Sequence, residues 1–226
     1  MKQTAALAER VYRSVTPCRI VDTRHGGGGA ITNSQTRTYS ATSGLVAQGA
    51  TLADCGVPDG ARTLTANVTI TGTTGYGNLR VFPADAGVPN ASTINWSGSN
   101  QTIANEVSIG LNSSEQFKVY GDIGGGGHTQ VIVDVTGFYV EQISVGATTS
   151  GAINEASNRI VSVVRNSTAD YTVTVDTNVD NCNPVATGED GNTQTDAEEN
   201  GNTINVQTFD SAGTLADRYW HLVVLC

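Results

Sequence analysis

Apolar and polar residues alternate over several short stretches of the chain. In residues 61–71, Leu64, Ala66, Val68 and Ile70 take every second position, and threonine or asparagine stands between them. Successive side chains of a strand point to opposite faces, so this alternation predicts a half-buried β-strand. Similar runs predict further strands at residues 79–82, 117–120, 130–140, 160–164, 171–175, 203–209 and 219–225. The pattern therefore predicts an all-β protein.

The connections between these runs carry turn residues. Residues 73–78 contain two glycines and predict a hairpin turn between the strands on either side. Gly137, inside an apolar run, predicts a β-bulge or a close chain crossing. Residues 178–202 are acidic, rich in asparagine and poor in large apolar side chains. They are therefore predicted to form a mobile loop or a ligand-binding loop.

The strands fall into two regions, which predict two consecutive β-sandwich or jelly-roll-like domains at residues 16–141 and 142–226. Residues 1–15 form an arm ahead of them. Leu7 and Val11 fall on one face of a helix, so this arm is predicted to be a short amphipathic helix that could pack on a neighbouring subunit. The first residues lack the continuous apolar core of a signal peptide, and no signal peptide is predicted.

Composition supports a turn-rich β protein and excludes some partners. Only 15% of the 226 residues are charged, and 26 are glycine. The formal net charge is −9, from 12 basic and 21 acidic residues. An acidic surface is repelled by phosphate backbones and anionic lipids, which disfavours nucleic acid and membrane surfaces as partners. No apolar run is long enough to span a bilayer.

The four cysteines divide evenly between the two regions. This split suggests disulfides Cys18–Cys55 and Cys182–Cys226, although sequence alone leaves the connectivity open. Metal ligation is disfavoured because the cysteines form no Cys-x-x-Cys or Cys/His cluster. Disulfides without a signal peptide fit a protein that is made in the cytoplasm and later exposed, as virion proteins are, or a chain whose leader has been removed.

Residues 16–24 place several charged groups in one β-like run, which indicates either a site or a buried polar brace. No nucleophile–base motif accompanies them, so a brace is favoured. Its predicted members, with further asparagines that brace turns, are Arg19, Asp22, Arg24, Asn67, Asn95, Asn105 and Asp134. An alternative is that Asp22 and Asp134 are the acid and base of a glycoside hydrolase. The spacing in the sequence alone does not test this alternative.

No cofactor is predicted, but one loop resembles the start of a calcium site. Asp176, Asn178 and Asp180 have the alternating spacing of such a loop. The glycine position holds Asn181 and the closing glutamate position holds Thr187, and both departures favour a solvated loop instead.

Two sets of apolar side chains are candidates for binding. Tyr76, Trp96 and Tyr120 could stack against a sugar, with core packing as the favoured alternative. The last strand is apolar on both faces, so it is predicted to be central in a sandwich or to lie at a subunit interface. The predicted interface residues are Trp220, Leu222 and Val224.

Seven motifs in fixed order carry a resemblance to a known family. They occupy residues 16–24, 54–58, 66–71, 77–83, 92–96, 103–107 and 131–139. Together they resemble a β domain of bacterial surface and secreted proteins whose signature reads RLLDTR … VDVxGYY. The resemblance covers residues 16–141 and implies an extracellular, non-catalytic β module. More loosely, residues 208–213 and 216–220 are similar to small β-sandwich modules of phage fibres and surface proteins, which commonly trimerise.

These observations predict a non-catalytic structural or adhesive protein of an external particle, such as a virion decoration, tail fibre or appendage subunit. It would form a homo-oligomer, with a trimer as first choice. Its other partners would be capsid, tail or appendage proteins and surface glycans. The alternative is a secreted or cell-surface carbohydrate-binding module. The predicted location is the virion or the extracellular surface.

Overall fold

The computed structural model describes residues 10–226, and these confirm the all-β prediction. Strands dominate, and the helical content of this range is two 3₁₀ turns at Val46–Gln48 and Gly124–Gly126. Within the same range no helix has the length and apolar character needed to cross a membrane. The chain forms two compact units, of which one comprises Val11–Val140 and the other includes Glu141–Cys226.

The first unit contains two antiparallel sheets. Its strands are β1 (Arg10–Asp22), β2 (Ile31–Thr32), β3 (Thr36–Ser40), β4 (Ala61–Thr71), β5 (Gly77–Pro83), β6 (Ile94–Trp96), β7 (Ile103–Gly110), β8 (Gln116–Ile123) and β9 (His128–Glu141). One sheet has the order β1-β9-β4-β7, with β2 also paired to β9, and the other has the order β3-β8-β5-β6. The core of the unit collects side chains from both sheets, including Leu64 and Val68 of β4 and Phe117 and Val119 of β8.

The predicted hairpin at residues 73–78 is wrong. β4 and β5 lie in different sheets, so the turn carries the chain from one sheet to the other. Gly72 and Gly75 both have positive φ, a backbone conformation that glycine adopts at no steric cost. The Thr73 hydroxyl donates to the carbonyl of Gly98 at 2.9 Å, which anchors the turn to a loop 25 residues away. The turn therefore leads β5 into the second sheet, where β5 lies between β8 and β6.

The predicted helical arm is also wrong for the part of it that the structure describes. β1 already begins at Arg10, so residues 10–15 are strand. Residues 1–9, where the rest of that prediction falls, lie outside the described residues. Tyr12 gives the physical reason, because its ring lies 5.2 Å from the ring of Tyr139 on β9. A cross-strand aromatic pair stabilises the extended conformation over a local helix.

The predicted bulge near Gly137 is present. The β4–β9 register shifts between Thr65 and Ala66, where Thr65 pairs with Gly137 and Ala66 with Val135. The Tyr12 ring lies directly against Gly137, so a Cβ at this position would collide with the ring. Glycine is required here because an aromatic ring of another strand occupies the space of a side chain.

Replacing Gly137 by alanine is expected to lower the free energy of unfolding by about 1–3 kcal/mol, the usual cost of overpacking. Removing the obstructing ring with Tyr12→Ala in the same chain should recover part of this loss. A double-mutant cycle by urea denaturation measures the coupling. Strictly additive effects of the two substitutions would contradict the steric explanation.

In residues 141–226, the second unit also forms two antiparallel four-stranded sheets. Its strands are β10 (Ile143–Ala147), β11 (Ile153–Ala156), β12 (Ile160–Ser167), β13 (Asp170–Val175), β14 (Asn183–Gly188), β15 (Gln194–Asn200), β16 (Thr203–Phe209) and β17 (Trp220–Leu225). The sheet orders are β11-β10-β17-β14 and β12-β13-β16-β15. Side chains of both sheets, including Tyr171, Val173, Ile204 and Trp220, form its core.

The predicted mobile loop at residues 178–202 is wrong. It contains β14 and β15, which pair with β17 and β16 respectively. Both strands alternate between exposed and half-buried positions. Ala186 and Ala197 are the half-buried residues that pack against the core. These side chains are too small to produce an apolar signal in a sequence, although they fill the space beneath a sheet.

The predicted subunit interface at Trp220, Leu222 and Val224 is wrong as well. All three side chains are at most 1% exposed and belong to the core of their own unit. β17 lies between β10 and β14, which agrees with the alternative that the last strand is central in its sheet. One face of β17 covers the core, and its other face carries the more exposed Val223 and Leu225.

Candidate functional site

The polar run at the end of β1 folds around one buried carboxylate. The side chain of Asp22 is 1% exposed. Arg24 donates to it from Nε at 2.8 Å, from Nη2 at 2.7 Å and from its backbone N–H at 3.1 Å. Arg19 donates from Nη1 at 3.1 Å, and Nδ1 of His25 lies 3.2 Å away. Asp22 is thus surrounded by donors that its own segment supplies.

Arg19 extends this cluster to the neighbouring strand. Its Nε and Nη2 donate to the two carboxylate oxygens of Asp134 at 2.8 and 3.1 Å, a two-bond contact between β1 and β9. Arg19 therefore bridges Asp22 and Asp134. The structure brings Arg19, Asp22 and Asp134 together with Arg24, as the hypothesis of a polar brace predicts. We call Arg19, Asp22, Arg24 and Asp134 the β1 brace.

The electrostatics of the β1 brace suit structural support more than proton transfer. The hydrogen bonds from Arg24 hold the pKa of Asp22 well below its usual range, although burial alone would raise it. The hydrogen bond to Asp134 in turn raises the pKa of Arg19. A general acid or base needs a pKa near the working pH. A carboxylate held ionised by two arginines is a permanent anion and a poor proton carrier.

The three predicted asparagine braces make local contacts. Asn95 Nδ2 donates to the Ser92 hydroxyl at 2.8 Å, and Asn105 Nδ2 donates to the carbonyl of Thr93 at 2.7 Å. Both asparagines are exposed, and together they hold the loop ahead of β6. Asn67 Nδ2 donates to the Thr69 hydroxyl at 3.4 Å, and Asn67 is itself the register partner of Asp134 on β9.

The structure pairs the cysteines as Cys18–Cys55 and Cys182–Cys226, the connectivity that their even split suggests. Cys55 is buried, and Cys18 packs against the core of the first unit. Cys18 immediately precedes Arg19, so the first disulfide fixes the strand that carries the β1 brace. Two disulfides indicate an oxidising environment outside the cytoplasm.

The second unit contains a comparable carboxylate that the sequence did not reveal. Asp217 accepts from Arg165 Nε and Nη2 at 3.0 and 2.7 Å, from the Ala169 N–H at 2.7 Å and from the Tyr171 hydroxyl at 3.1 Å. The hydrogen bonds from Arg165 are the main reason why the pKa of Asp217 is lowered to about 2. Its partners are 46 to 52 residues away, so no local spacing could signal the cluster.

The lowered pKa values of Asp22 and Asp217 predict that the protein loses stability in acid. An aspartate in an unfolded chain has a pKa of about 3.9. The pKa of the folded state is lower for Asp22 and Asp217, so their stabilisation is complete above about pH 4 and is lost as the pH falls toward 2. Urea denaturation between pH 6 and pH 2 should show this fall, and Asp217→Asn should reduce its slope. An equally steep fall in the variant would contradict the assignment.

The calcium candidate does not form a ligand cluster. The Asp176 carboxylate forms an ion pair with Arg159, whose Nη2 lies 3.0 Å from Asp176 Oδ1. Asn178 and Asp180 bond to each other, and Asp180 also accepts the backbone N–H of Gly201. Among residues 10–226, no group of three or more His, Cys, Asp or Glu side chains is placed to hold a metal ion. The turn is closed by its own hydrogen bonds, as in an ordinary Asx turn.

The three candidate aromatic residues have different environments. Trp96 is 5% exposed and belongs to the core, which corrects its assignment as a stacking residue. Tyr76 is 64% exposed. Tyr120 is half-buried, and the guanidinium carbon of Arg80 lies 5.6 Å from its ring centroid. Tyr76 and Tyr120 therefore remain available at the surface of the first unit.

Comparison with known proteins adds no family assignment. No protein-family model matches this chain, and no curated protein matches it.

Proposed function

We propose that this protein is a non-catalytic structural or adhesive protein of an external particle, such as a virion decoration, fibre or appendage subunit. In this proposal the two units are consecutive β-sandwich domains, and the chain assembles as a homo-oligomer, with a trimer as first choice. Capsid, tail or appendage proteins would be its assembly partners.

The observation that carries this proposal is that the charged side chains of the β1 brace pair with one another. Residues 16–24 place both of their arginines on carboxylates of the same unit. An active site would instead direct such groups toward a substrate at a cleft. The two disulfides support the extracellular location, because such bonds persist in oxidising environments.

A sheet edge in the second unit supports self-association. β12 is the end strand of its sheet, so within the part of the chain that the structure describes one side of its backbone has no strand neighbour. Val161 and Val164 on this strand are 64% and 53% exposed. An edge strand with exposed valines favours pairing with another chain, because it offers free backbone groups and apolar surface together. We infer that β12 takes the interface role first predicted for the last strand.

The assembly proposal is tested by light scattering and sedimentation at micromolar concentration. We expect an oligomer for the native chain and dissociation for Val161→Lys combined with Val164→Lys, because edge lysines oppose strand pairing. Val223→Lys is the matched control, since Val223 is also an exposed valine on a strand, but its strand β17 is central in the other sheet. A native monomer would overturn the assembly, and an oligomer that survives the double substitution would exclude β12.

The absence of catalysis is tested with a panel of polysaccharides. We expect no release of reducing ends from any of them. Release that is abolished by Asp22→Asn or Asp134→Asn would overturn the non-catalytic proposal in favour of a glycoside hydrolase.

A further inference from the structure

Two adjacent strands of the first unit bring three residue pairs to one face of their sheet. The pairs are Tyr76 with Gly124, Asn78 with Asp122, and Arg80 with Tyr120. Directly opposed residues of an antiparallel ladder share a face. Leu79 and Ile123 point the other way and are buried in the core, so the paired residues face outward. We call this surface the β5–β8 face.

The centre of the β5–β8 face is a fixed polar group. Arg80 donates from Nε to Asn78 Oδ1 at 3.0 Å, from Nη2 to Asp122 Oδ2 at 3.2 Å and from Nη1 to the carbonyl of Pro89 at 2.9 Å. Asn78 Nδ2 donates to the same Asp122 oxygen at 3.3 Å. These bonds orient the side chains but leave hydrogen-bonding capacity at the amide, the guanidinium and the carboxylate.

Aromatic rings lie at both ends of this polar centre. The exposed Tyr76 ring rests against Gly124, where any Cβ would collide with it. Tyr120 lies opposite Arg80, and its half-buried ring has its centroid 5.6 Å from the guanidinium carbon. Tyr76 and Arg80 are four positions apart, which corresponds to about 13 Å along a strand. The face is therefore a strip with a ring, a hydrogen-bonding centre and a second ring.

The charge of the strip restricts its ligand. Arg80 and Asp122 neutralise each other across 3.2 Å, and the chain as a whole carries a net charge of −9. An anionic ligand such as a phosphate or a sulfated glycan would find no unpaired cation within the strip and would be repelled by the chain. A neutral sugar fits better, because a pyranose offers an apolar C–H face to a ring and hydroxyl groups to planar polar side chains.

We propose that the β5–β8 face binds a neutral oligosaccharide. A sugar ring stacks on Tyr76, and its hydroxyl groups bond to Asn78 and Asp122, whose positions Arg80 holds. The chain of sugars then runs along the strand direction toward Tyr120. This inference rests on the adhesive role proposed above and names the class of ligand that the adhesion would use.

The test is a glycan array that carries neutral and acidic glycans, followed by calorimetric titration with cellohexaose, chitohexaose and mannohexaose. We expect binding to at least one neutral glycan, with an affinity that depends only weakly on the salt concentration. Tyr76→Ala should weaken binding about tenfold, the loss that one ring contact explains, whereas Tyr76→Phe keeps the ring and should retain binding. Asn78→Ala should also weaken it. Tyr219→Ala is the matched control, because Tyr219 is an exposed tyrosine of the second unit.

Two results would overturn the inference. One is an array without any neutral glycan bound, and the other is glycan binding that Tyr76→Ala and Asn78→Ala leave intact. Tyr76 is exposed, so its substitution is expected to leave the fold unchanged, and circular dichroism verifies this for each variant. Light scattering separates this proposal from the assembly proposal. An oligomer that binds no glycan refutes the β5–β8 site alone, and a monomer that binds glycan refutes assembly alone.

Discussion

Replacing Cys18 and Cys55 together by alanine is expected to lower the free energy of unfolding of the first unit by about 4 kcal/mol, because the disulfide closes a loop of 37 residues. The closed loop restricts the unfolded chain, and its release raises the entropy of that state. The loss is a large part of the stability of an ordinary domain, which is about 5–15 kcal/mol. Urea denaturation of the native and substituted chains measures it.

The two tryptophans allow this effect to be assigned to one unit. Trp96 is buried in the first core and Trp220 in the second. Single-tryptophan chains made with Trp220→Phe or Trp96→Phe report the unfolding of each unit by fluorescence. We expect the Cys18/Cys55 substitution to shift mainly the Trp96 transition. The Cys182/Cys226 substitution is the matched control and should shift mainly the Trp220 transition. Equal shifts of both transitions in each case would contradict separate stabilisation.

Asp22→Ala is expected to destabilise the first unit by about 3 kcal/mol, which is the lower end of the range for breaking a buried ion pair. Arg24 then loses three hydrogen bonds, and Arg19 keeps only its contact with Asp134. The lower end applies because the side chains of Arg19 and Arg24 are 35% and 40% exposed, so water can partly solvate them. Asp22→Asn retains an acceptor without the charge and should have an intermediate effect.

Asp85→Ala is the control for this substitution, because Asp85 is an exposed aspartate of the same unit. It should change the free energy of unfolding by no more than about 0.5 kcal/mol. Differential scanning calorimetry of the three variants gives the comparison. An unchanged melting temperature for Asp22→Ala, together with lost ligand binding, would show that the cluster is a binding site instead of a brace.

Several features of the fold could be read from the sequence because they depend on local alternation. Leu64, Ala66, Val68 and Ile70 are all fully buried on one face of β4, as their spacing predicts. A strand has only two faces, so a period of two assigns each side chain to one of them. The polar density of residues 16–24 also identified the β1 brace. Its unusual composition for a strand was visible without knowledge of its partners.

Other features depended on partners distant in the chain. Val185 and Ala186 belong to β14, a strand that polar and small residues conceal, because pairing with the distant β17 satisfies backbone groups whatever the side chains are. Tyr76, Asn78 and Arg80 stand at alternate positions with no distinctive motif. They acquire a shared face with Tyr120 and Asp122 only through the β5–β8 register. Which strands become neighbours is decided by contacts between residues far apart in sequence.

The sequence by itself therefore determined the all-β class, the alternation that builds each core and the polar brace in β1. Only the tertiary structure decided which face of β17 is buried and which aromatic residues reach the surface. Trp220 and Tyr76 illustrate the difference, since the first is fully buried and the second is 64% exposed. Local alternation places a side chain on one of two faces, but the packing of another sheet decides which face water reaches.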